Sequence, residues 1–153
     1  MAAPPLLAVE GITKRYGNFQ AISNVTFAVP PGVAFGLAGP NGAGKTTLLQ
    51  CTVGIRAPSE GRVWVAGEPL TQDNIAARRN LAFVPELPET AASLTPLDHM
   101  AFVARVLELP AWEPQAYRLL NAFGMVHKAE KLCRTLSKGE QQKVGLMTAL
   151  IRR

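Results

Sequence analysis

The sequence predicts a mixed α/β fold, and three observations support that prediction. A glycine-rich stretch at residues 39–46 fits the pattern G-x-x-x-x-G-K-[ST] of a phosphate-binding loop. The residues before it favour an antiparallel pair of strands, and the residues from 87 onward show helical periodicity. The sequence therefore predicts a nucleotide-binding core followed by a helical part.

The phosphate-binding loop has the local context that this chemistry needs. The apolar run Val33–Ala38 predicts a buried strand ahead of it, and Thr46–Val53 predicts a helix that Gly54 closes. Glycines let successive backbone N–H groups point into one concavity, and the new helix adds its own free N–H groups. Such a loop binds an anion. We predict binding of a nucleoside triphosphate.

Each side chain of the loop has a separate expected task. Lys45 adds a positive charge for the β- and γ-phosphates, and the Thr46 hydroxyl can ligate Mg²⁺. Thr47 is placed to reach the α-phosphate. The residues expected to contact the nucleotide here are Gly39, Pro40, Asn41, Gly42, Ala43, Gly44, Lys45, Thr46 and Thr47.

Composition and charge narrow the class of protein. The chain has 153 residues, enough for one domain, and no run approaches the roughly 20 apolar residues of a membrane span. The N-terminus has no basic region before an apolar core, so we expect no signal peptide and a cytoplasmic location. Cys51 and Cys133 lack metal-ligand spacing and are expected to be buried apolar residues. The net charge of +5 suggests an anionic partner, but without interleaved aromatic residues we expect no nucleic acid.

Strand and helix signals divide the chain in order. Thr95 is the expected cap of a helix with Pro96 at its first position and Asp98 three residues after the cap. A second helix is expected from about Pro114 to Gly124. The other predicted elements are strands at Leu7–Tyr16, Ala21–Val29, Arg62–Gly67 and Leu81–Val84, and a short helix at Asp73–Arg79.

Two features of the sequence have more than one interpretation. Tyr16 follows a strand and precedes a turn, so it either caps the sheet edge or offers an aromatic face to a base. Ser137 with Glu140 predicts a capping box on the last helix, which by itself explains both residues. Alternatively, the Ser137 hydroxyl and the Gly139 amide form a second anion-binding helix end. His99 and His127 have no second ligand at metal spacing and are expected to be surface or packing residues.

The order of the motifs resembles the ATP-binding cassette of ABC transporters. The resemblance covers essentially the whole chain, from Tyr16 through the loop and Pro85-Glu86 to Leu136-Ser137-Lys138-Gly139-Glu140. It implies a P-loop NTPase core with N-terminal antiparallel strands and an α-helical subdomain, incomplete at the C-terminus. The core is expected at residues 1–86 and the helical subdomain at residues 87–153.

The resemblance also implies roles for individual residues. Tyr16 resembles the aromatic residue that stacks on adenine, and Gly39–Thr47 matches the Walker A loop. Glu86 stands where the family usually has a glutamine that touches Mg²⁺ and the attacking water. Ser137 and Gly139 match the signature motif, which caps the γ-phosphate held by the opposite cassette of a head-to-tail dimer. The implied catalytic residues are thus Lys45 and Glu86, and the implied Mg²⁺ ligands are Thr46 and Glu86.

The chain departs from the family pattern in its residues and in its extent. Glu86 and Glu140 replace amides with carboxylates, and Lys138 stands at the first glycine of the usual Leu-Ser-Gly-Gly-Gln. After the last helix the family has a hydrophobic strand ending in Asp-Glu and then a switch histidine, and residues 1–153 contain neither. We therefore expect ATP binding without hydrolysis at a family-like rate.

The resemblance predicts an ATP-binding subunit that couples ATP to transmembrane transport, with export favoured over import. Expected partners are ATP with Mg²⁺, transmembrane permease subunits and a second cassette, on the inner face of the membrane. Two other functions stay open: a non-catalytic nucleotide sensor, and a soluble cassette protein of translation or DNA repair.

Overall fold

The chain forms two compact units. The computed structural model describes residues 4–87 and 89–152, and Pro88, in the segment predicted to break secondary structure, lies outside them. The boundary between the units falls between Leu81 and Ala82. The sequence-based boundary after Glu86 therefore lies inside the second unit.

The first unit is built on an antiparallel sheet in the order β2-β1-β3-β4. Its strands are β1 (Leu7–Tyr16), β2 (Phe19–Val29), β3 (Glu60–Val65) and β4 (Glu68–Pro69). The predicted strands near residues 7–16, 21–29 and 62–67 are thus confirmed, with small shifts of their ends. The turn at Gly17-Asn18 joins β1 to β2, and Tyr16 pairs with Phe19 across it.

Two helices pack on this sheet, α1 (Lys45–Thr52) and α2 (Ile75–Arg79). Side chains that alternate along a strand reach opposite faces, so one face of β1 and β3 turns toward α1. Burial of these apolar side chains holds the helix that follows the glycine loop against the sheet. The buried cluster consists of Val9, Ile12, Ile22, Leu48, Cys51, Val63, Val65 and Ala77.

The predicted strand at Val33–Ala38 is wrong. The segment has no strand structure, and Val33, Phe35 and Leu37 are exposed. A strand needs a hydrogen-bonded neighbour, and no segment within residues 4–87 and 89–152 pairs with this one. The Phe35 ring instead stacks on Phe27 of β2, with the ring centroids 4.7 Å apart.

The second unit is helical, with α3 (Pro96–Val106), α4 (Trp112–Ala122) and α5 (Lys138–Leu150). Its 3₁₀ turns are Val126–Lys128 and Cys133–Thr135. The predicted cap of α3 is confirmed, because the Asp98 amide donates to Thr95 Oγ1 at 3.1 Å and the Thr95 amide donates to Asp98 Oδ2 at 2.9 Å. The core contains Met100, Ala116, Leu120, Met125, Ala129, Cys133, Leu136, Val144, Met147 and Ile151.

The predicted strand at Leu81–Val84 is also wrong, and its end packs on α5. Gln142 Nε2 donates to the Pro85 carbonyl at 3.1 Å, and a Cβ at Gly145 would lie 3.6 Å from Val84 Cγ1. Helix contacts replace the sheet pairing that the apolar run suggested.

Both cysteines are packing residues, His99 is half-buried, and His127 is exposed. Cys51 and Cys133 are buried free thiols, as predicted, and burial raises the pKa of both. His99 Nε2 accepts a hydrogen bond from the Ala91 amide at 3.1 Å, so this ring fastens the chain ahead of α3. Within the described part of the chain, no helix is long and apolar enough to cross a membrane.

Replacement of Leu120 by alanine tests the core of the second unit. Leu120 is fully buried, so Leu120→Ala should lower the free energy of unfolding by about 2–5 kcal/mol. Leu87→Ala removes the same atoms from a side chain that is 72% exposed, and should change stability by less than about 0.5 kcal/mol. Urea unfolding followed by circular dichroism measures both. Equal effects would contradict this core assignment.

Candidate functional site

The glycine loop ends in a helix start with unsatisfied amides. Gly44 is the cap residue of α1 and offers no side chain to its first N–H groups. Those groups have no partner within a helix and must find one elsewhere. A helix N-terminus in this condition is a binding site for anions.

Gly44 fastens the loop to the sheet. Its φ is +83°, and a Cβ at this position would lie 2.5 Å from the carbonyl oxygen of Ala21 in β2. Only glycine permits this approach, because any side chain would meet backbone. The start of α1 is thereby set beside the beginning of β2, one short hairpin away from Tyr16.

Lys45 closes over the loop. Its Nζ donates to the carbonyl oxygens of Gly39 and Pro40, both at 2.7 Å. These neutral acceptors hold the ammonium above the loop without cancelling its charge. A phosphate oxygen placed there would replace neutral carbonyls with a charged acceptor, which makes a stronger hydrogen bond.

Thr46 and Thr47 are the second and third residues of α1. The Thr46 hydroxyl is exposed and makes no hydrogen bond to the described residues, whereas Thr52 on the same helix donates to the Leu49 carbonyl at 2.8 Å. An uncommitted hydroxyl oxygen beside a phosphate site suits a hard cation such as Mg²⁺. Thr47 is half-buried. The residues present fit that metal.

Tyr16 ends β1 with 41% of its surface exposed. Two cations stand near its ring: Lys14 Nζ lies 5.3 Å from the ring centroid, and Arg56 Cζ lies 5.8 Å from it. Both interpretations of Tyr16, as a cap of the sheet edge and as an aromatic face for a base, stay predictions. Lys14 lies two residues before Tyr16 on β1 and therefore on the same face of the strand, whereas Arg56 is distant in the chain and left no signal in the sequence pattern.

A cavity of about 530 Å³ lies at the other end of α1. It is lined by residues around the C-terminal end of α1, β3 and the segment after β4, including Cys51, Arg56 and Leu70. None of its lining residues belongs to the loop at 39–47. The loop itself is an exposed surface feature rather than part of this cavity.

Glu86 is exposed in the second unit, just after the segment that α5 holds. The hydrogen bond from Gln142 to the Pro85 carbonyl restrains the residue directly before it. Sequence reasoning missed Gln142, and a long-range hydrogen bond of this kind leaves no periodic signal. The carboxylate of Glu86 is free to meet a ligand from solvent.

Ser137 caps α5 as predicted. The Glu140 amide donates to Ser137 Oγ at 3.3 Å, and the Ser137 amide donates to Glu140 Oε2 at 2.9 Å. The other carboxylate oxygen of Glu140 pairs with Lys128 Nζ. A Cβ at Gly139 would meet no heavy atom within 4 Å, so this helix end is open to an approaching group. The predicted capping box is confirmed, and the anion-binding helix end stays a prediction.

The ion pair lowers the pKa of Glu140 to about 2, from an ordinary value of 4.5. The hydrogen bond from Lys128 is the largest cause, and the Ser137 amide is the next. Lys128 thereby connects the 3₁₀ turn at Val126–Lys128 to the start of α5. Lys138 itself is exposed.

The predicted residues fall into two groups. Tyr16 and the loop Gly39–Thr47 lie in the first unit, and Glu86, Ser137 and Gly139 lie in the second. Among the described residues, no three His, Cys, Asp or Glu side chains gather as a metal site. A Mg²⁺ ion at the loop would therefore take its ligands from the Thr46 hydroxyl and from oxygen atoms of the bound nucleotide.

The close approach at Gly44 predicts unequal effects of two alanine substitutions. Gly42 and Gly44 share a positive φ, +82° and +83°, but a Cβ at Gly42 would meet nothing within 4 Å. Both variants carry the left-handed penalty of about 1–2 kcal/mol. Gly44→Ala must also displace the Ala21 carbonyl, so its melting temperature should fall further than that of Gly42→Ala. Equal shifts in thermal unfolding would show that the loop does not rest on β2.

The Lys128–Glu140 pair predicts a pH dependence of stability. The pKa of Glu140 is lower in the folded state, so the pair stabilises the fold above about pH 4.5 and the stabilisation is lost as pH falls toward about 2. Thermal unfolding between pH 6 and pH 3 should show a smaller drop in Glu140→Gln than in the unmodified chain. Glu130→Gln, a control at an exposed carboxylate, should retain the full drop. Parallel curves for all three proteins would contradict the ion pair.

Comparison with known proteins gives the relatives of the chain. The family model described as "ABC transporter" matches residues 22–153. The SkfA peptide export ATP-binding protein SkfE of Bacillus subtilis is 33% identical over 95% of this chain and 61% of its own length. The molybdate/tungstate import ATP-binding protein WtpC of Thermococcus kodakarensis is 37% identical over 95% of this chain and 44% of its own length.

The solved structures that resemble this chain come from the same family as the sequence relatives. A solved ATP-binding subunit of an ABC transporter superposes with a TM-score of 0.90 at 30% identity, over 96% of this chain and 62% of that one. CbiO1 from Clostridium perfringens, part of the ABC transporter complex CbiONQ, superposes with a TM-score of 0.80 at 25% identity, over 98% and 62%. The chain spans 44–61% of the length of the two curated relatives above. The chain belongs to the ABC transporter family of ATP-binding proteins and has their P-loop NTPase fold.

Proposed function

We propose that this chain is the nucleotide-holding part of an ABC transporter ATP-binding subunit. The observation that carries the proposal is the loop at 39–44 leading into α1, where the carbonyls of Gly39 and Pro40 are the only partners of Lys45 Nζ among the described residues. Free helix amides, a positive charge and glycine backbone together suit a triphosphate.

In this proposal the loop binds ATP with Mg²⁺. Backbone amides of Gly39–Thr47 hold the phosphates, and Lys45 contacts the β- and γ-phosphates. Thr46 supplies a hydroxyl ligand to Mg²⁺, which would neutralise charge on the phosphates when bound. Tyr16 stacks on the adenine. Its exposed ring at the end of β1 supports that role.

The second unit contributes to the neighbouring nucleotide site. Ser137 and Gly139 cap the γ-phosphate held by a second cassette in a head-to-tail dimer, which the open end of α5 supports. Glu86 contributes a carboxylate toward Mg²⁺ and the attacking water. A carboxylate ligates Mg²⁺ but, when ionised, cannot donate a hydrogen bond to water as an amide can.

Turnover by residues 1–153 alone is proposed to be slow. Phosphoryl transfer needs positioned water and neutralised charge. In this proposal residues 1–153 hold the phosphates. They contain neither the strand ending in Asp-Glu nor the switch histidine that the family uses. Binding of ATP without family-like hydrolysis follows.

The partners follow from the family. We propose that the chain acts with transmembrane permease subunits on the inner face of the membrane, and that ATP drives transport through them. The proposed direction is export. The basis is the order of the two motifs Pro85-Glu86 and Leu136-Ser137-Lys138-Gly139, which looks more like that of exporter subunits. Relatives named for export and for import both match.

A non-catalytic nucleotide sensor is the second candidate. In this alternative, ATP bound at the loop changes the affinity of the chain for a partner without turnover. Turnover that appears when residues 1–153 are combined with permease subunits would exclude it.

Calorimetry of ATP with Mg²⁺ on the purified chain tests the proposal. We expect saturable binding that Lys45→Ala reduces at least tenfold, because the variant removes the charge facing the phosphates. Lys131→Ala removes a lysine from an exposed site in the second unit and should leave ATP affinity unchanged.

Phosphate release measured on the same samples tests the slow turnover. Absence of ATP binding, or equal binding by Lys45→Ala, would refute the nucleotide site. Steady release of phosphate that depends on Lys45 would refute only the proposed lack of hydrolysis.

A further inference from the structure

We infer that Arg56, which follows α1, and Lys14, on β1, are positioning residues for the nucleotide base, because they hold the Tyr16 ring in place. The inference rests on the proposed stacking of adenine on Tyr16. It adds these two residues to the proposed base site. It also connects the two parts of the nucleotide site, because α1 starts at the phosphate loop and leads into the segment that supports the Tyr16 ring.

The first step is the placement of the cations. Arg56 Cζ lies 5.8 Å and Lys14 Nζ lies 5.3 Å from the centroid of the Tyr16 ring, within the range of cation–π attraction. Both cations lie over the ring. The residue keeps 41% of its surface exposed, and in the proposed complex the base covers the part of the ring that the cations leave open.

The second step is that neither cation is loose. Arg56 Nε donates to Gln50 Oε1 at 2.6 Å, and Gln50 belongs to α1. Lys14 Nζ donates to the Ala57 carbonyl at 2.7 Å. The Gln50 carbonyl also accepts hydrogen bonds from the amides of Ile55 and Arg56. Each cation is therefore anchored by a residue in or just after α1.

The third step is the attachment of that segment to the sheet. The Ser59 amide donates to the Thr13 carbonyl at 2.8 Å, and the Arg15 amide donates to Ser59 Oγ at 3.0 Å. The end of β1 and the segment after α1 thus form one hydrogen-bonded unit around Tyr16. Movement of the ring away from its observed position would break these hydrogen bonds or the cation–π contacts with Lys14 and Arg56.

The consequence is preorganisation. A mobile tyrosine would lose side-chain freedom when a base stacks on it, and that loss would weaken binding. A ring already held by fixed cations avoids most of it. An exposed cation–π contact corresponds to about a two- to fivefold change in an equilibrium constant.

A positive charge near the nucleotide can also act on the phosphates at a distance, so the test must separate the base from the phosphates. ATP and inorganic tripolyphosphate share the phosphate chain, and only ATP has a base. We expect Arg56→Gln to weaken ATP binding about two- to fivefold in calorimetry and to leave tripolyphosphate binding unchanged. Arg56→Lys keeps a cation and should restore most of the loss.

Arg62→Gln is the matched control. It removes the same charge from the first unit, on β3, and Arg62 is not among the cations near the ring. The ratio of ATP affinity to tripolyphosphate affinity should stay as in the unmodified chain. Circular dichroism on each variant confirms that the fold is retained.

Tyr16→Ala completes a double-mutant cycle. In that background Arg56→Gln should have no further effect on ATP binding, since the cation acts through the ring. Equal weakening of ATP and tripolyphosphate by Arg56→Gln, or no weakening of either, would overturn the inference while leaving base stacking intact. Unchanged ATP affinity in Tyr16→Ala would overturn base stacking and the inference together, and the Lys45-dependent phosphate site would still stand.

Discussion

The contact between Gly44 and β2 is the constraint on which the first unit depends. A residue with φ of +83° whose Cβ position lies 2.5 Å from the Ala21 carbonyl can only be glycine. Because the next residue starts α1, this contact sets where the free amides of the helix point. It also sets which face of α1 packs on Val9, Val63 and Val65. The proposed phosphate site and the core of the unit thus both depend on this one close approach.

The same helix serves the site at both of its ends. At its start, Lys45 crosses the loop to two backbone carbonyls. At its end, Gln50 anchors Arg56 beside the Tyr16 ring. Because α1 has a single placement in the core, the proposed phosphate and base positions are coupled through a rigid element rather than through mobile loops. Disturbance of either end should be felt at the other through that helix.

The second unit uses charge to organise the start of α5. Glu140 is bound on one oxygen by Lys128 and on the other by the Ser137 amide. An amide at this position, as in the common signature, has one acceptor oxygen and no negative charge, so it cannot offer each of these two donors a separate charged oxygen. The carboxylate therefore holds the helix start through two neighbours. Gln142, two residues further along α5, restrains the segment before Glu86. The proposed signature and Glu86 positions are connected by residues that sequence patterns did not mark.

Local chemistry was visible in the sequence because it depends on neighbours in the chain. The caps at Thr95 and Ser137, the strand β1 and the buried cysteines were all predicted correctly on that basis. The apolar runs at Val33–Ala38 and Leu81–Val84 were mispredicted, because a strand exists only where another segment supplies its hydrogen bonds. The sequence alone determined the family and the phosphate-binding motif. Only the tertiary structure decided that Gly44 meets Ala21, that Arg56 meets Tyr16 and that Lys128 meets Glu140, since each pair joins residues whose separation in the chain carries no periodic signal.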